Sequence, residues 1–443
     1  MPSRKSKQAW VISADMGYGH DRAAHGLRDL AFGDVITSNR YPGIPHKDRQ
    51  LWADTRVVYE TISRLKPVPI LGPLLFDAMD RFQEIPAFYP RRDLSEPTLQ
   101  LRAMYRIIQK GLCKDLMNRL MKRRLPAVCT FPLPAFALEE HGYPEDIYAI
   151  VTDTDMSRAW VPLDSKRSRI KYFAPTGRVV ERLKLYGVRS ENIFLTGFPL
   201  PNALIGGANG HTVKDDLAQR VCNLDPNGIF INRYWRTLNE ELGMSRCQDL
   251  KARPVTLTFA VGGAGAQRHL GLEIAKSLLP KIRKHEMRLN LVAGTRREVA
   301  KYFEQGLRKL GLWNQRNGVR VFWAPDRLDY FNGFDRILRT TDILWTKPSE
   351  LSFYTGAGIP IVMSQPVGSQ EEYNQLWLQA VGGGVMMYDA QYCREWLEDW
   401  IQGGSLARLA WNGYIEAPTH GTVRIKRILS GEGVGTQPLP LVV

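Results

Sequence analysis

The chain has 443 residues, 44% of them hydrophobic, and 60 Lys and Arg against 45 Asp and Glu give a formal net charge of +15. That length exceeds one ordinary domain and predicts two or three, each with apolar residues enough for a core. The composition excludes a transmembrane helix, because the most apolar proline-broken stretch, residues 67–79, falls short of the roughly 18 residues a span needs.

At the start, Arg4, Lys5 and Lys7 are followed by an apolar run of strand length only, so no signal peptide is expected. Residues 9–13 read as a short buried strand that runs into Asp15-Met16-Gly17-Tyr18-Gly19-His20, and residues 22–30 read as a helix. Residues 59–92, rich in proline and bulky apolar side chains, fit neither pattern and read as an excursion. Strand-like segments then recur at 126–130, 148–153, 170–174 and 193–197, with a helix over 179–185 between the last two.

A glycine-rich breaker at 206–210 opens a charged, weakly periodic stretch, which places a linker or insertion over 206–252 between domains 1–205 and 253–443. Beyond it the alternation restarts. Strands are predicted at 255–261, 289–293, 319–322, 343–345 and 361–363, a helix carries Leu270, Ile274 and Leu278 at four-residue spacing, and 395–428 reads as helices. Strands alternating with helices imply α/β domains with parallel sheets covered on both faces, here two doubly wound units facing a cleft. Ligands of such sheets bind beyond the carboxyl ends of the strands.

Four groups of loop residues are therefore candidates. Gly262-Gly263-Ala264-Gly265-Ala266-Gln267 joins a strand to a helix, where exposed amides and a helix dipole suit a diphosphate; a tight turn with no ligand is the other reading. It is neither a GxGxxG fingerprint nor a P-loop. Gly17-Tyr18-Gly19-His20 has the same strand-to-helix setting, and His20 is either a general base or a capping histidine. His25, one turn on, reads as structural. Asp153 and Asp155 close a strand ahead of Trp160 and serve either to orient an acceptor, assist a base or hold a metal, or as turn residues. Trp345-Thr346-Lys347-Pro348-Ser349-Glu350, with Gln370, Glu371, Glu372 and Asn374, offers carboxylates and amides that suit ribose and sugar hydroxyls, or acids that complement a helix dipole.

Five scattered cysteines (Cys113, Cys129, Cys222, Cys247 and Cys393), with no CxxC pair, read as reduced thiols of a cytoplasmic protein, and no metal site is expected. The positive charge suits nucleic acid, anionic lipid or phosphorylated ligands, or a solvated basic surface. No RNA-recognition motif, zinc finger or arginine-glycine tract is present, so a nucleic-acid partner is not expected. Arg91-Arg92 and Lys122-Arg123-Arg124 lie beside apolar segments, as a surface for anionic headgroups would, and residues 68–76 are a candidate for insertion among them.

Assembled in order, these motifs resemble those of the two-domain GT-B glycosyltransferases. The similar branch holds the monogalactosyldiacylglycerol synthases, the bacterial diacylglycerol glucosyltransferases and the lipid-linked N-acetylglucosaminyltransferase of peptidoglycan synthesis. The resemblance covers most of residues 8–385. It runs through Gly17-Tyr18-Gly19-His20, Val151-Thr152-Asp153 with Trp160-Val161, Tyr172-Phe173-Ala174-Pro175, Thr196-Gly197-Phe198-Pro199, Gly262 to Gly265, Thr346-Lys347-Pro348 with Gly358-Ile359-Pro360, and Gln370-Glu371-Glu372-Tyr373-Asn374.

The resemblance implies an inverting transfer from a nucleoside-diphosphate sugar, UDP-linked in most such enzymes, to a lipid or membrane-associated acceptor. It implies no metal and no further cofactor, and a cytoplasmic enzyme peripheral to the inner face of a membrane. His20, with Asp153 or Asp155, is then catalytic. Gly17, Gly19, Gly262, Gly263, Gly265, Gln267, Thr346, Lys347, Ser349, Glu350, Gln370, Glu371 and Asn374 then bind substrate. A nucleotide-sugar epimerase or hydrolase, or a binding protein with a degenerate donor site, would use the same loops. Three departures stand out. Ser349-Glu350 replaces a Gly-Gly pair, Thr130-Phe131-Pro132 replaces a His-Pro, and no histidine follows shortly after Asp153. Either Glu350 takes the place of the family's ribose-binding glutamate or that contact is absent.

Overall fold

The computed structural model describes residues 8–52, 85–243, 253–262, 265–313 and 318–432. Residues 59–84 of the expected excursion, with the candidate insertion 68–76, lie outside the described residues. So does Gly263.

The chain forms two compact units. The first comprises Met1–Pro199, Val367–Tyr373 and Gly421–Val443, and the second Leu200–Pro366 and Asn374–His420. Each holds one six-stranded sheet whose described strand pairs are all parallel. Strands buried on both faces are short continuous apolar runs, as in Trp10–Ser13 and Ile147–Ile150, every residue of which is buried.

In the first unit the strands are β1 (Trp10–Ser13), β2 (Ile36–Thr37), β3 (Ala127–Cys129), β4 (Ile147–Ile150), β5 (Lys171–Ala174) and β6 (Ile193–Leu195). Their order is β2-β1-β3-β4-β5-β6. In the second they are β7 (Val255–Ala260), β8 (Met287–Val292), β9 (Val319–Phe322), β10 (Ile343–Thr346), β11 (Ile361–Met363) and β12 (Gly384–Met386), in the order β12-β11-β10-β7-β8-β9. Both orders are doubly wound. The chain steps outward from one central strand, returns to its other side and steps outward again, so each sheet has one switch point, between β1 and β3 in the first and between β7 and β10 in the second. Crossovers leave such a pair in opposite directions and open a crevice at its carboxyl end.

The alternation in the sequence thus located the sheets, with two omissions. Strand β2 is only two residues long, and β12 lies in a glycine-rich stretch. The segment expected to be a linker or insertion is helical in its described part. It forms the helices His211–Asn223 and Ile229–Leu242, which belong to the second unit. One of its charges is the reason: Arg220 is fully buried and donates to the carbonyls of Thr341, Ala357 and Gly358, which ties the first of these helices to the turns around β10. Burial holds its pKa down to about 10.

The carboxyl-terminal helix Gly421–Ser430 also departs from expectation, because it belongs to the first unit. Arg424 donates to Thr196 O at 3.0 Å and Thr422 Oγ1 to Gly26 O at 3.4 Å. A Cβ at position 421 would stand 2.2 Å from Phe198 O, so only glycine permits that approach. The expectation of reduced thiols holds for Cys113, Cys129 and Cys393, which are free and buried, and not for Cys222, which is disulfide-bonded. No helix among the described residues is long and apolar enough to cross a membrane.

Candidate functional site

In the first unit the chain leaves β1 through Gly17, whose backbone (φ 129°, ψ 165°) is one that glycine alone adopts readily, and enters the helix Tyr18–Gly26. His20 lies in the first turn of that helix. Its Nδ1 is 2.7 Å from Thr130 O, the carbonyl that directly follows β3, and 3.5 Å from Thr152 Oγ1, just beyond β4. The imidazole therefore bridges the β1/β3 switch point. A carbonyl only accepts, so Nδ1 carries the proton and the lone pair of the neutral ring sits on Nε2. Phe131 meets the ring edge-on at 4.9 Å and Trp160 lies 5.9 Å away, which restricts its rotation. This tautomer and these walls are what a general base needs. Thr130 was legible in the sequence only as a departure from His-Pro, and its contribution is a main-chain atom that no motif displays.

The two aspartates separate. Asp153, half-buried, stands beside Thr152 at the end of β4. Asp155 is fully buried and accepts from Arg178 Nε (2.6 Å), Arg182 Nε (2.8 Å), Arg182 Nη2 (2.9 Å) and the Met156 amide (2.8 Å). A carboxylate so fully engaged is part of the frame, which corrects its expected catalytic role. Burial alone would lower the pKa of Arg182, but the hydrogen bonds it donates to Asp155 and the charge of that carboxylate outweigh it and raise the pKa.

In the second unit the chain leaves β7 through Gly262, and Gly265 N closes the turn onto Gly262 O at 2.8 Å before the helix Arg268–Arg283 begins. Lys347, which follows β10 directly, lies along this turn. A Cβ added to Gly262 would come within 2.7 Å of Lys347 Cε, so glycine makes room for the lysine stem. The contact crosses the β7/β10 switch point. Arg296 lies against the end of the turn, its Cδ 3.3 Å from where a Gly265 Cβ would be. Gln267, in left-handed conformation (φ 59°), accepts from Ser364 Oγ at 2.6 Å and donates to Gln365 O at 3.1 Å, bracing the helix start against the loop after β11. A glycine turn, a helix amino terminus and two cations together suit a diphosphate.

The remaining expected donor residues divide by burial and bonding. Glu350 and Ser349 are half-buried at the start of the 3-10 helix Glu350–Ala357. Thr346, 1% exposed, donates to Ala260 O, and Asn374 is also 1% exposed. Glu371 accepts from the Val367 amide at 2.8 Å and so shapes its own loop, while Gln370 is half-buried. Among the described residues no group of three or more His, Cys, Asp or Glu could hold a metal ion.

Comparison with known proteins adds the following. A family model described as a domain of unknown function, DUF6938, matches residues 310–402. A processive diacylglycerol β-glucosyltransferase of Bacillus cereus is 23% identical over 59% of this chain and 55% of its own length. The chain is similar in sequence to these glucosyltransferases. It spans about half the length of the B. cereus relative, while a Bacillus licheniformis enzyme of the same name is 19% identical over 86% of this chain and 83% of its own. Among solved structures, UDP-GlcNAc 2-epimerase from Neisseria meningitidis bound to UDP-GlcNAc matches 76% of this chain and 83% of its own at 12% identity, with a TM-score of 0.46. The resemblance to GT-B glycosyltransferases drawn from the motifs is supported by the distant glucosyltransferase relatives, and the α/β architecture of two doubly wound units accords with it.

Proposed function

We propose that the protein is a glycosyltransferase that moves a sugar from a nucleoside diphosphate, UDP the first candidate, to a hydroxyl of a lipid or membrane-associated acceptor. One observation carries the reading: in each unit the candidate residues meet across the switch point of the sheet, where doubly wound folds bind ligands. The names of the relatives support the sugar donor and the lipid acceptor.

In this reading the diphosphate rests on the Gly262–Gly265 turn, with Lys347 and the amino terminus of the helix Arg268–Arg283 taking up its charge. The acceptor oxygen attacks the anomeric carbon as the bond from that carbon to the phosphate oxygen breaks, which inverts the configuration. The hydroxyl proton passes to Nε2 of His20, and the nucleoside diphosphate leaves with the bonding pair. Glu350 is the candidate for ribose hydroxyls. No step in this scheme calls for a metal or a further cofactor.

The test is a thermal-shift panel of UDP, GDP, dTDP and their sugar conjugates, followed by transfer assays on diacylglycerol vesicles. Selective stabilisation by one nucleotide, with a glycosylated lipid product, is expected. Isomerisation of the sugar without acceptor would replace the transferase reading with an epimerase, and no shift with any nucleotide would remove the donor site.

A further inference from the structure

The helix Ile229–Leu242 of the second unit is held at both ends and bare between. At its start, buried Asp225 accepts from the amides of Ile229 (2.9 Å) and Ile231 (2.8 Å), and Phe230 is buried. At its end, Leu238 is fully buried and Glu241 binds Tyr414 Oη and Lys214 Nζ, each at 2.8 Å. Between these anchors Asn232, Arg233, Tyr234, Trp235, Arg236 and Thr237 are all exposed. With six successive residues exposed, this stretch stands out from the packed body of the unit. The backbone breaks there too, with Tyr234 at φ −113°, ψ 18°.

The side chains on this projection are unusual for solvent. Ile229 is 55% exposed, Trp235 41% and Tyr234 39%, and Arg233 lies 5.7 Å from the Tyr234 ring centroid. From 226 to 238 the sequence holds two arginines and no acid. Tryptophan and tyrosine beside arginine are the residues that settle at the headgroup level of a bilayer, the rings in the boundary and the guanidinium groups on phosphates.

We propose that the exposed middle of Ile229–Leu242 docks on an anionic lipid bilayer. The proposal deepens, and rests on, the membrane-associated acceptor of the reading above, and it assigns the contact to the second unit. Ile229 and Trp235 supply the apolar area and Arg233 and Arg236 the charge. The attraction weakens as salt rises, because exposed charges are screened.

The experiment is sedimentation of the whole chain, without nucleotide, with vesicles of phosphatidylcholine alone and mixed with phosphatidylglycerol. Binding to the mixed vesicles at low salt is expected. Replacing both arginines, Arg233→Gln with Arg236→Gln, should weaken it by roughly tenfold to thirtyfold, and Trp235→Ala by about tenfold. Neither change should move the melting temperature, since the three side chains are exposed. A control pair, Lys166→Gln with Arg167→Gln, removes two exposed cations elsewhere and should leave binding intact. No binding to anionic vesicles, equal loss in the control pair, or competition by RNA at equal charge would overturn the proposal, as would a dimer in solution that Trp235→Ala dissolves. Because no nucleotide is present, a failure here is distinct from a failure of the donor site, which the thermal-shift panel reads.

Discussion

At the first switch point the chain leaves β1 through a glycine and presents an imidazole tied to the carbonyl after β3; at the second it leaves β7 through a glycine turn and brings a lysine from the end of β10 alongside it. The scaffold is the same in both, a central strand, a glycine and a helix start. What differs is the group brought from just beyond the neighbouring strand: a carbonyl, which fixes a proton, or an ammonium, which attracts an anion. Topology thus says where a ligand can sit, and a single residue on the adjacent strand says which chemistry it meets.

The largest effect expected from breaking this contrast is at His20. His20→Ala should lower the transfer rate by about two to four orders of magnitude while leaving the nucleotide-induced thermal shift unchanged. His20→Asn sharpens the test, because its amide can still donate to Thr130 O but offers no lone pair in place of Nε2. Rates equal to those of His20→Ala support the base; restored activity would make the imidazole a structural tie.

Next comes Asp155, which stands near the first switch point without belonging to its chemistry. Asp155→Ala leaves Arg182 buried without its carboxylate, and about 3–5 kcal/mol of stability should be lost in urea titrations. A variant of normal stability and low activity would instead return Asp155 to the catalytic set.

This residue also shows how far the sequence could be read. The strands were legible because buried parallel strands are continuous apolar runs between polar breaks, and both glycine loops were legible because they follow such runs. Whether a given polar side chain faces a ligand or the interior was not, since that depends on contacts distant in sequence. Asp155 meets arginines 23 and 27 residues away, and Thr346 meets a carbonyl 86 residues away. Arg220 misled for the same reason: a charge in a weakly periodic stretch looks like a linker until the carbonyls it binds, 121 to 138 residues on, are in place. His20 was legible as a candidate, but the proton position that suits it to act as a base comes from Thr130 O.

At the second switch point, Lys347→Ala should weaken binding of the favoured nucleoside diphosphate by about tenfold to a hundredfold, the worth of a hydrogen bond to a charged group. Isothermal titration would measure it. Gly262→Ala should act in the same direction and more mildly, because the new methyl displaces only the flexible end of the lysine. Unchanged affinity in both variants would separate the lysine from the diphosphate and leave the turn with its helix dipole alone.

The smallest effect is expected at Gly17, and it isolates backbone from side chain. A Cβ there meets nothing within 4 Å, so Gly17→Ala costs only the strain of holding an L-residue at φ 129°, on the order of 1–3 kcal/mol. The strain falls on the entry to the helix that carries His20. If the helix holds its place, stability drops and the rate per folded molecule is kept. If the chain relaxes instead, His20 Nδ1 moves off Thr130 O and the rate falls with little loss of stability. Urea titration paired with transfer rates on the same variant distinguishes the two, and loss of stability alone is expected, because Phe131, Trp160 and the Thr130 carbonyl hold the ring independently of the turn that delivers it.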